Sequence, residues 1–424
     1  MLADLIIHNA LEIATCAGPA PRRGSAQGDA GVLHEASIAA HEGRIVFVGS
    51  ADECRLRVSL LPHGTGIDAA GCGVAPGFVD AHTHLVFAGD RIGELGRRLA
   101  GATYQEIAAG GGGILSTVEA TRRATGEQLV ESSLPRLGRM LRCGTTTAEV
   151  KSGYGLTVES ELKMLRAIRR LGESQPVNLI PTFMGAHEIP REYRADPDAY
   201  VALVVEQMIP AVAEAGLATS CDVFCETGVF TVEQSRAVLA AARRSGLQVR
   251  VHADELAASG GAELAAEVGA RSADHLVHAT ERGARALAAS GTVATLLPAA
   301  SLFLKLGRYA PARMLIDSGV PVALGTDLNP GGGLTPSMPF VMSLACFGMG
   351  LTLEEALVAG TINAAYALDV HERTGSLEPG KQMDAVIVDG PLVNLLAPDA
   401  GYVRRVLKGG RIVYDGGLRP GPLM

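Results

Sequence analysis

Tryptophan is missing from this chain of 424 residues, and aromatic side chains make up only 4 % of it. A core built around stacked rings is thereby excluded, and the interior has to be filled by Ala, Val and Leu. Long apolar runs are missing too: nowhere do about eighteen consecutive residues stay apolar, the least a membrane-spanning helix needs. There is no block of about five or six like charges. The formal charge is −8, so the basic footprint of a nucleic-acid binder is absent. The start, Met1 to His8, has no basic segment ahead of an apolar one and does not read as a signal peptide. These absences predict a soluble, cytoplasmic protein with a small-molecule partner, no nucleic acid and no membrane. A homodimer is compatible with all of them.

A disulfide framework is excluded next. The seven cysteines are an odd number scattered over a long chain and are read as reduced thiols. Cys221 and Cys225 flank the apolar Val223 and Phe224 without CxxC spacing, which makes them core thiols. The glycines at 110–113 lack the Gly-Lys-Ser/Thr of a phosphate loop and the GxGxxG of a dinucleotide fold. They read as a lid or a plain flexible loop.

What is present is glycine, 52 residues of it, and a hydrophobic fraction of 47 %. Short apolar or β-branched runs at 78–82, 145–151, 177–183, 221–226, 248–252, 271–275, 292–297 and 320–326 alternate with helical patterns such as 158–171, 200–215, 232–245 and 311–318. That alternation marks βαβ units and a parallel sheet, and eight strands with intervening helices close a (β/α)₈ barrel. The flanks differ: 36–48 broken by Glu42-Gly43, and 403–414 broken by Gly409-Gly410, read as antiparallel strands. The expected organisation is a barrel over 74–376 beside one small β domain composed of 1–73 and 377–424. Residues 17–31, rich in Gly, Ala and Pro, are expected to form an exposed loop.

The unusual residues gather where such a barrel does chemistry. His82, His84, Lys151, His187, Glu226, His252, His275 and Asp327 all fall at or just beyond the C-terminal end of a predicted strand, the catalytic face of the fold. In Asp80-Ala81-His82-Thr83-His84 the two-residue period of a strand aims both imidazoles to one side, where one cation can reach them. His252 and Asp327 end other predicted strands and can converge on the same point. Three imidazole nitrogens and a carboxylate suit one divalent metal, with Zn²⁺ favoured and Fe²⁺ or Mn²⁺ able to use the same set.

With HxH on the first strand (His82, His84), a His on the fifth (His252), a His on the sixth (His275) and an Asp on the eighth (Asp327), the sequence resembles the amidohydrolase superfamily. Within it, the segments 76–91, 110–117 (GGGGILST), 149–156 (EVKSGYGL), 185–188, 222–230 (DVFCETGVF), 252–255, 272–276 and 326–331 (TDLNPG) are similar, in the same order, to the imidazolonepropionase family. The resemblance covers nearly the whole chain. It implies the barrel, the β domain assembled from both termini, and addition of water to 4-imidazolone-5-propanoate to give N-formimidoyl-L-glutamate in histidine degradation. A bridging Lys in such enzymes usually sits on the fourth strand, whereas Lys151 ends the second, so one metal is expected rather than two.

Ring opening needs a nucleophile at neutral pH, which a metal supplies by acidifying water, and a group to take the proton. Glu255, three residues beyond His252, is placed for the proton, although an acid there also fits the start of a helix. Protonated His275 is a candidate oxyanion donor, and Asp327 or Glu255 could return a proton to the leaving nitrogen. A carboxylate tail on the substrate calls for a guanidinium, and Arg91 follows the first strand, with a surface ion pair to Asp90 as its plainer alternative. By resemblance Tyr154, His187, Asn329, Gly331 and Gly332 line the pocket. Relatives often carry a hydroxyl residue where Gly332 stands, so only backbone contact remains there. Two other readings stand beside this one: a ring deaminase of the same superfamily, which would release ammonia, and a catalytically inactive structural relative, which would normally show broken ligands.

Overall fold

The computed structural model describes residues 1–102, 106, 112–397 and 400–417. Its centre is a parallel sheet of eight strands in sequential order. These are β1 (Phe78–Asp80), β2 (Thr145–Lys151), β3 (Asn178–Ala186), β4 (Ser220–Cys225), β5 (Gln248–Ala253), β6 (Ser272–His275), β7 (Val293–Leu296) and β8 (Val322–Leu324). The last strand returns to the first: Ala81 N–H donates to Leu324 O at 3.4 Å, Asp327 N–H to His82 O at 2.9 Å and His84 N–H to Leu328 O at 2.9 Å. The seam between first and last strand therefore runs through His82, His84 and Asp327.

The eight strands and their order match the sequence reading, with ends shifted by a few residues. The helix expected over 200–215 is interrupted. Pro197–Leu203 gives way to a π-helical turn, Val204–Met208, before Ile209–Glu214. Pro210 explains the break, since it has no N–H for a carbonyl one turn back and its ring crowds that position. The helix Val232–Arg244 begins where Thr231 and Gln234 form a reciprocal capping box. Among the described residues, three helices, Ile92–Leu99, Ile114–Arg123 and Gly126–Arg142, lie in the long connection from β1 to β2.

A second sheet draws on both ends of the chain. Leu2–Ala14 pairs antiparallel with Val32–His41 and parallel with Cys72–Pro76, which in turn pairs antiparallel with Ala385–Asp389 from the far end. Its apolar face forms a core of its own, including Ile7, Ile13, Ile38, Val74 and Ile387. The larger core lies between barrel and helices.

Residues 17–31 run largely at the surface, as expected, but Arg22, Gln27 and Ala30 are buried. Gln27 is fully buried, and its amide straddles Val322 of β8, donating to the carbonyl at 3.2 Å and accepting from the N–H at 3.0 Å. Asn363 accepts from Arg22 N–H at 2.7 Å. The segment is pinned by partners some three hundred residues away, which local composition cannot encode. All seven cysteines are free thiols, and Cys221 and Cys225 are buried. Among the described residues no helix is long and apolar enough to cross a membrane. Of the glycines read as a lid, Gly110 and Gly111 lie outside the described residues.

Candidate active site

Thr83, the residue between the two histidines of the HxH pair, is held on both edges. It bridges Leu328 on one side and accepts from Lys151 N–H at 2.9 Å on the other. Its hydroxyl donates to Glu149 O at 2.6 Å. With Thr83 fixed this way, His82 and His84 project to the same side, as the period of two requires. Their Nε2 atoms lie 3.6 and 3.7 Å from Asp327 Oδ1, and His84 Nε2 lies 3.3 Å from His252 Nε2. Donor atoms of His82, His84 and Asp327 fall within 4.8 Å of one another, as do those of His82, His252 and His275. The four residues expected from sequence to be ligands are therefore brought together, and His275 joins them beside His82 and His252.

His82 Nδ1 is hydrogen-bonded to Asp274 Oδ2 at 2.7 Å, and His252 Nδ1 lies 3.0 Å from Asp222 Oδ2 as a charge contact. A carboxylate at Nδ1 fixes the tautomer whose Nε2 lone pair is bare, the arrangement found behind metal-bound histidines. Burial, followed by the charges of Lys151 and neighbouring imidazoles, pushes His82 well below its ordinary pKa, and burial does the same to His84. Both rings are neutral and able to ligate. His82 Nε2 and Asp327 Oδ1 are buried without a hydrogen-bond partner, a costly state for polar atoms. Burial also pushes the Asp327 carboxyl up to about 7 against the pull of His252. A divalent cation relieves each of these deficits, and a set of three nitrogens and one oxygen fits it.

Glu255 sits in the loop after β5, ahead of the helix Gly261–Glu267, so the reading of it as a helix-start acid does not apply. Its loop is shaped by Glu226, whose Oε2 accepts from Leu256 N–H at 2.8 Å. Glu255 is buried with His275 Nδ1 3.6 Å away. Burial, then the Asp327 and Glu226 carboxylates, raises its pKa well above the ordinary range. A carboxyl so tuned is suited to carrying a proton near neutrality. Burial and His252 push His275 well below its usual range. That direction favours the neutral ring over the imidazolium.

Arg91 is buried rather than on the surface, and its partner is Glu94 instead of Asp90: Nε and Nη2 lie 2.8 and 2.7 Å from Glu94 Oε2. The other oxygen of Glu94 accepts from Gly113 N–H at 2.8 Å. Gly331 packs flat on the guanidinium, where a Cβ would stand 2.3 Å from its central carbon. Asn329 turns inward, donating to Asp327 O at 2.8 Å and accepting from the N–H groups of Gly331 and Gly332. These two amides, expected to face a ligand, are thus committed to shaping the loop. His187 stacks on His84 at 4.7 Å and holds Gly153 O at 3.0 Å, with Tyr154 5.2 Å from its ring. Arg91, Tyr154, His187, Glu255, Asn329 and Gly332 line one cleft of about 60 Å³ together with His84, His252, His275 and Asp327, whereas Gly331 is not part of its lining.

Beneath the cleft lies a charged layer of which sequence reading caught only single members. Lys151, Glu149, Asp222, Arg250 and Asp274 are all fully buried inside the barrel. The signal was available: carboxylates in the middle of apolar strands, as in Ser-Cys-Asp-Val-Phe-Cys, are tolerated only when paired. Burial alone would lower the Lys151 pKa, but Asp222, Glu149 and Asp274 more than reverse this and raise it.

Fold and site together define a metal-dependent hydrolase barrel, and residues 74–413 match the amidohydrolase family. The chain belongs to that family and, within it, to the imidazolonepropionases. It is 52 % identical over 418 residues to the imidazolonepropionase of Symbiobacterium thermophilum, covering 98 % of each chain. It is 48 % identical over 421 residues to that of Geobacillus kaustophilus, covering 98 % of this chain and 99 % of the other. Solved structures with the same fold include a zinc-bound adenosine deaminase from Xanthomonas campestris, at TM-score 0.72 and 20 % identity over 97 % of this chain and 93 % of that one. Escherichia coli guanine deaminase matches at TM-score 0.72 and 18 % identity over 97 % and 100 %.

Proposed function

We propose that the chain opens the ring of 4-imidazolone-5-propanoate to give N-formimidoyl-L-glutamate, using His82, His84, His252 and Asp327 to hold one divalent ion, Zn²⁺ before Fe²⁺. The observation that carries this reading is that the imidazole and carboxylate cluster shares one cleft with a buried guanidinium. A bound divalent ion acidifies water and polarises a carbonyl. Arg91 takes the propionate carboxylate, and the ring lies against His187 and Tyr154. Glu255 accepts the proton of the attacking water, and the N–H of His275 faces the oxygen that gains charge. The ring C–N bond then breaks, and the nitrogen leaves with a proton returned from Glu255 or Asp327.

The test is a product assay on imidazolonepropionate with metal analysis of the same sample. Formimidoylglutamate without ammonia is the expected product. Ammonia release would replace this reading with the deaminase one, and an inert, correctly folded, metal-loaded protein would favour a structural role.

A further inference from the structure

The reaction above leaves the buried layer below the imidazoles unused. Lys151 Nζ lies 2.7 Å from Glu149 Oε2, 2.7 Å from Asp222 Oδ2 and 3.5 Å from Asp274 Oδ2. Two of those oxygens are the same atoms that face imidazoles: Asp222 Oδ2 is 3.0 Å from His252 Nδ1, and Asp274 Oδ2 is 2.7 Å from His82 Nδ1. Asp222 also uses its second oxygen to accept from His252 N–H at 3.2 Å. One ammonium thus stands at the junction of two carboxylate–imidazole pairs that arrive from different sides of the barrel, β4 to β5 and β6 to β1.

The carboxylates need that cation. Donor atoms of Asp222, His252 and Asp274 lie within 4.8 Å of one another, and like charges that close in a dry interior repel strongly. Arg250, the other buried cation of the layer, is directed elsewhere. Its Nε lies 3.2 Å from Glu149 Oε1, and its Nη1 and Nη2 donate to Ser272 Oγ and Ala367 O. Glu149 completes the frame, accepting from Thr182 Oγ1 at 2.6 Å while holding Lys151 from behind.

We propose that Lys151 is a positioning residue for the metal centre: its ammonium seats Asp222 and Asp274 so that they take the Nδ1–H edges of His252 and His82 and leave both Nε2 lone pairs aimed at the ion. The inference rests on the metal reading of the site given above. It assigns Lys151 a role other than bridging two metals and other than a plain internal ion pair. A plain ion pair would contribute to folding alone, whereas a seat for two ligands alters how tightly the folded chain holds its ion.

The experiment measures Zn²⁺ affinity of the full-length chain by chelator competition, for wild type, Lys151→Met, Asp274→Asn and the double variant, with circular dichroism to verify folding. Folded Lys151→Met should bind Zn²⁺ about 10- to 100-fold more weakly, the scale for losing an outer-shell partner, and affinity within about threefold of wild type would overturn the proposal. The double variant should be little weaker than the weaker single one, because both changes break one chain of contacts, and fully additive losses would also overturn it. If wild type itself binds no Zn²⁺, the metal reading fails and takes this inference with it. If Lys151→Met does not fold, ¹⁵N-histidine spectra of metal-free wild type decide. Nδ1–H tautomers at His82 and His252 support the seat, and an Nε2–H tautomer at either one refutes it.

Discussion

The Nε2 atoms of His84 and His252 face each other 3.3 Å apart, although the two residues come from opposite parts of the chain and their strands are not neighbours in the barrel. With a proton on one of these two nitrogens the contact is an N–H···N hydrogen bond, and with a proton on neither, a shared cation is what joins them. About one tightly bound divalent ion per chain is therefore expected. Elemental analysis checks the count, and chelation should abolish activity that one equivalent of metal restores. Two ions, both required for activity, would contradict it.

Glu255→Gln should leave metal content and folding intact while kcat falls at least about 100-fold, the usual scale for removing a positioned acid or base. Glu255 is buried beside His275 and is not among the atoms that cluster at Asp327. Steady-state kinetics on a metal-loaded sample are the check, and near-normal turnover would transfer the proton to Asp327.

Arg91→Ala should raise KM about 10- to 100-fold, the equivalent of losing roughly 1.5–3 kcal/mol from a charged hydrogen-bonded contact. The upper part of that range is expected, because the change strands Glu94, now paired to the guanidinium, as a naked carboxylate facing the carboxylate of the substrate. Adding Glu94→Gln to Arg91→Ala should then recover part of the loss. Arg91→Lys should recover only part, for want of the guanidinium fork. On an analogue lacking the carboxylate, Arg91→Ala and wild type should perform alike, and a mutant still far worse there would remove Arg91 as the anchor.

Gln27→Leu should destabilise the barrel by about 1–3 kcal/mol, the cost of leaving one buried polar group unpaired. The orphan is the N–H of Val322, since its carbonyl keeps the Asn363 amide at 2.9 Å. A lower urea midpoint and faster hydrogen exchange at Val322 are the expected readouts. Unchanged exchange there would show that water replaces the glutamine.

The strands and the histidines and aspartate that the structure clusters were legible for the same physical reason. Parallel strands buried on both faces read as continuous apolar runs, so a histidine or aspartate closing such a run stands out, as His252 and Asp327 do. What did not show was anything decided by distant pairing. Gln27 sits among turn formers and gives no sign that it will dock on β8. Asn329 was legible as a polar residue beside a ligand, but only the fold reveals that its amide is consumed by Gly331 and Gly332. Arg91 was read beside the wrong neighbour: Asp90 is next in sequence, while Glu94 is one helical turn on and shares its buried face.

The strand Cys72–Pro76 is separated by Gly77 alone from β1, yet its antiparallel partner is Ala385–Asp389. On the ribosome, the HxH segment thus emerges early and then waits for nearly the whole message to be read. Asp327 and the closing seam come late, and the strand that anchors the root of β1 comes later still. A nascent chain released before residue 385 would present Cys72–Pro76 as an unpaired edge, open to pairing with other chains. The arrangement makes translation to near completion a condition for a seated first strand, so prematurely terminated copies should be cleared or aggregate rather than persist as half-active enzyme.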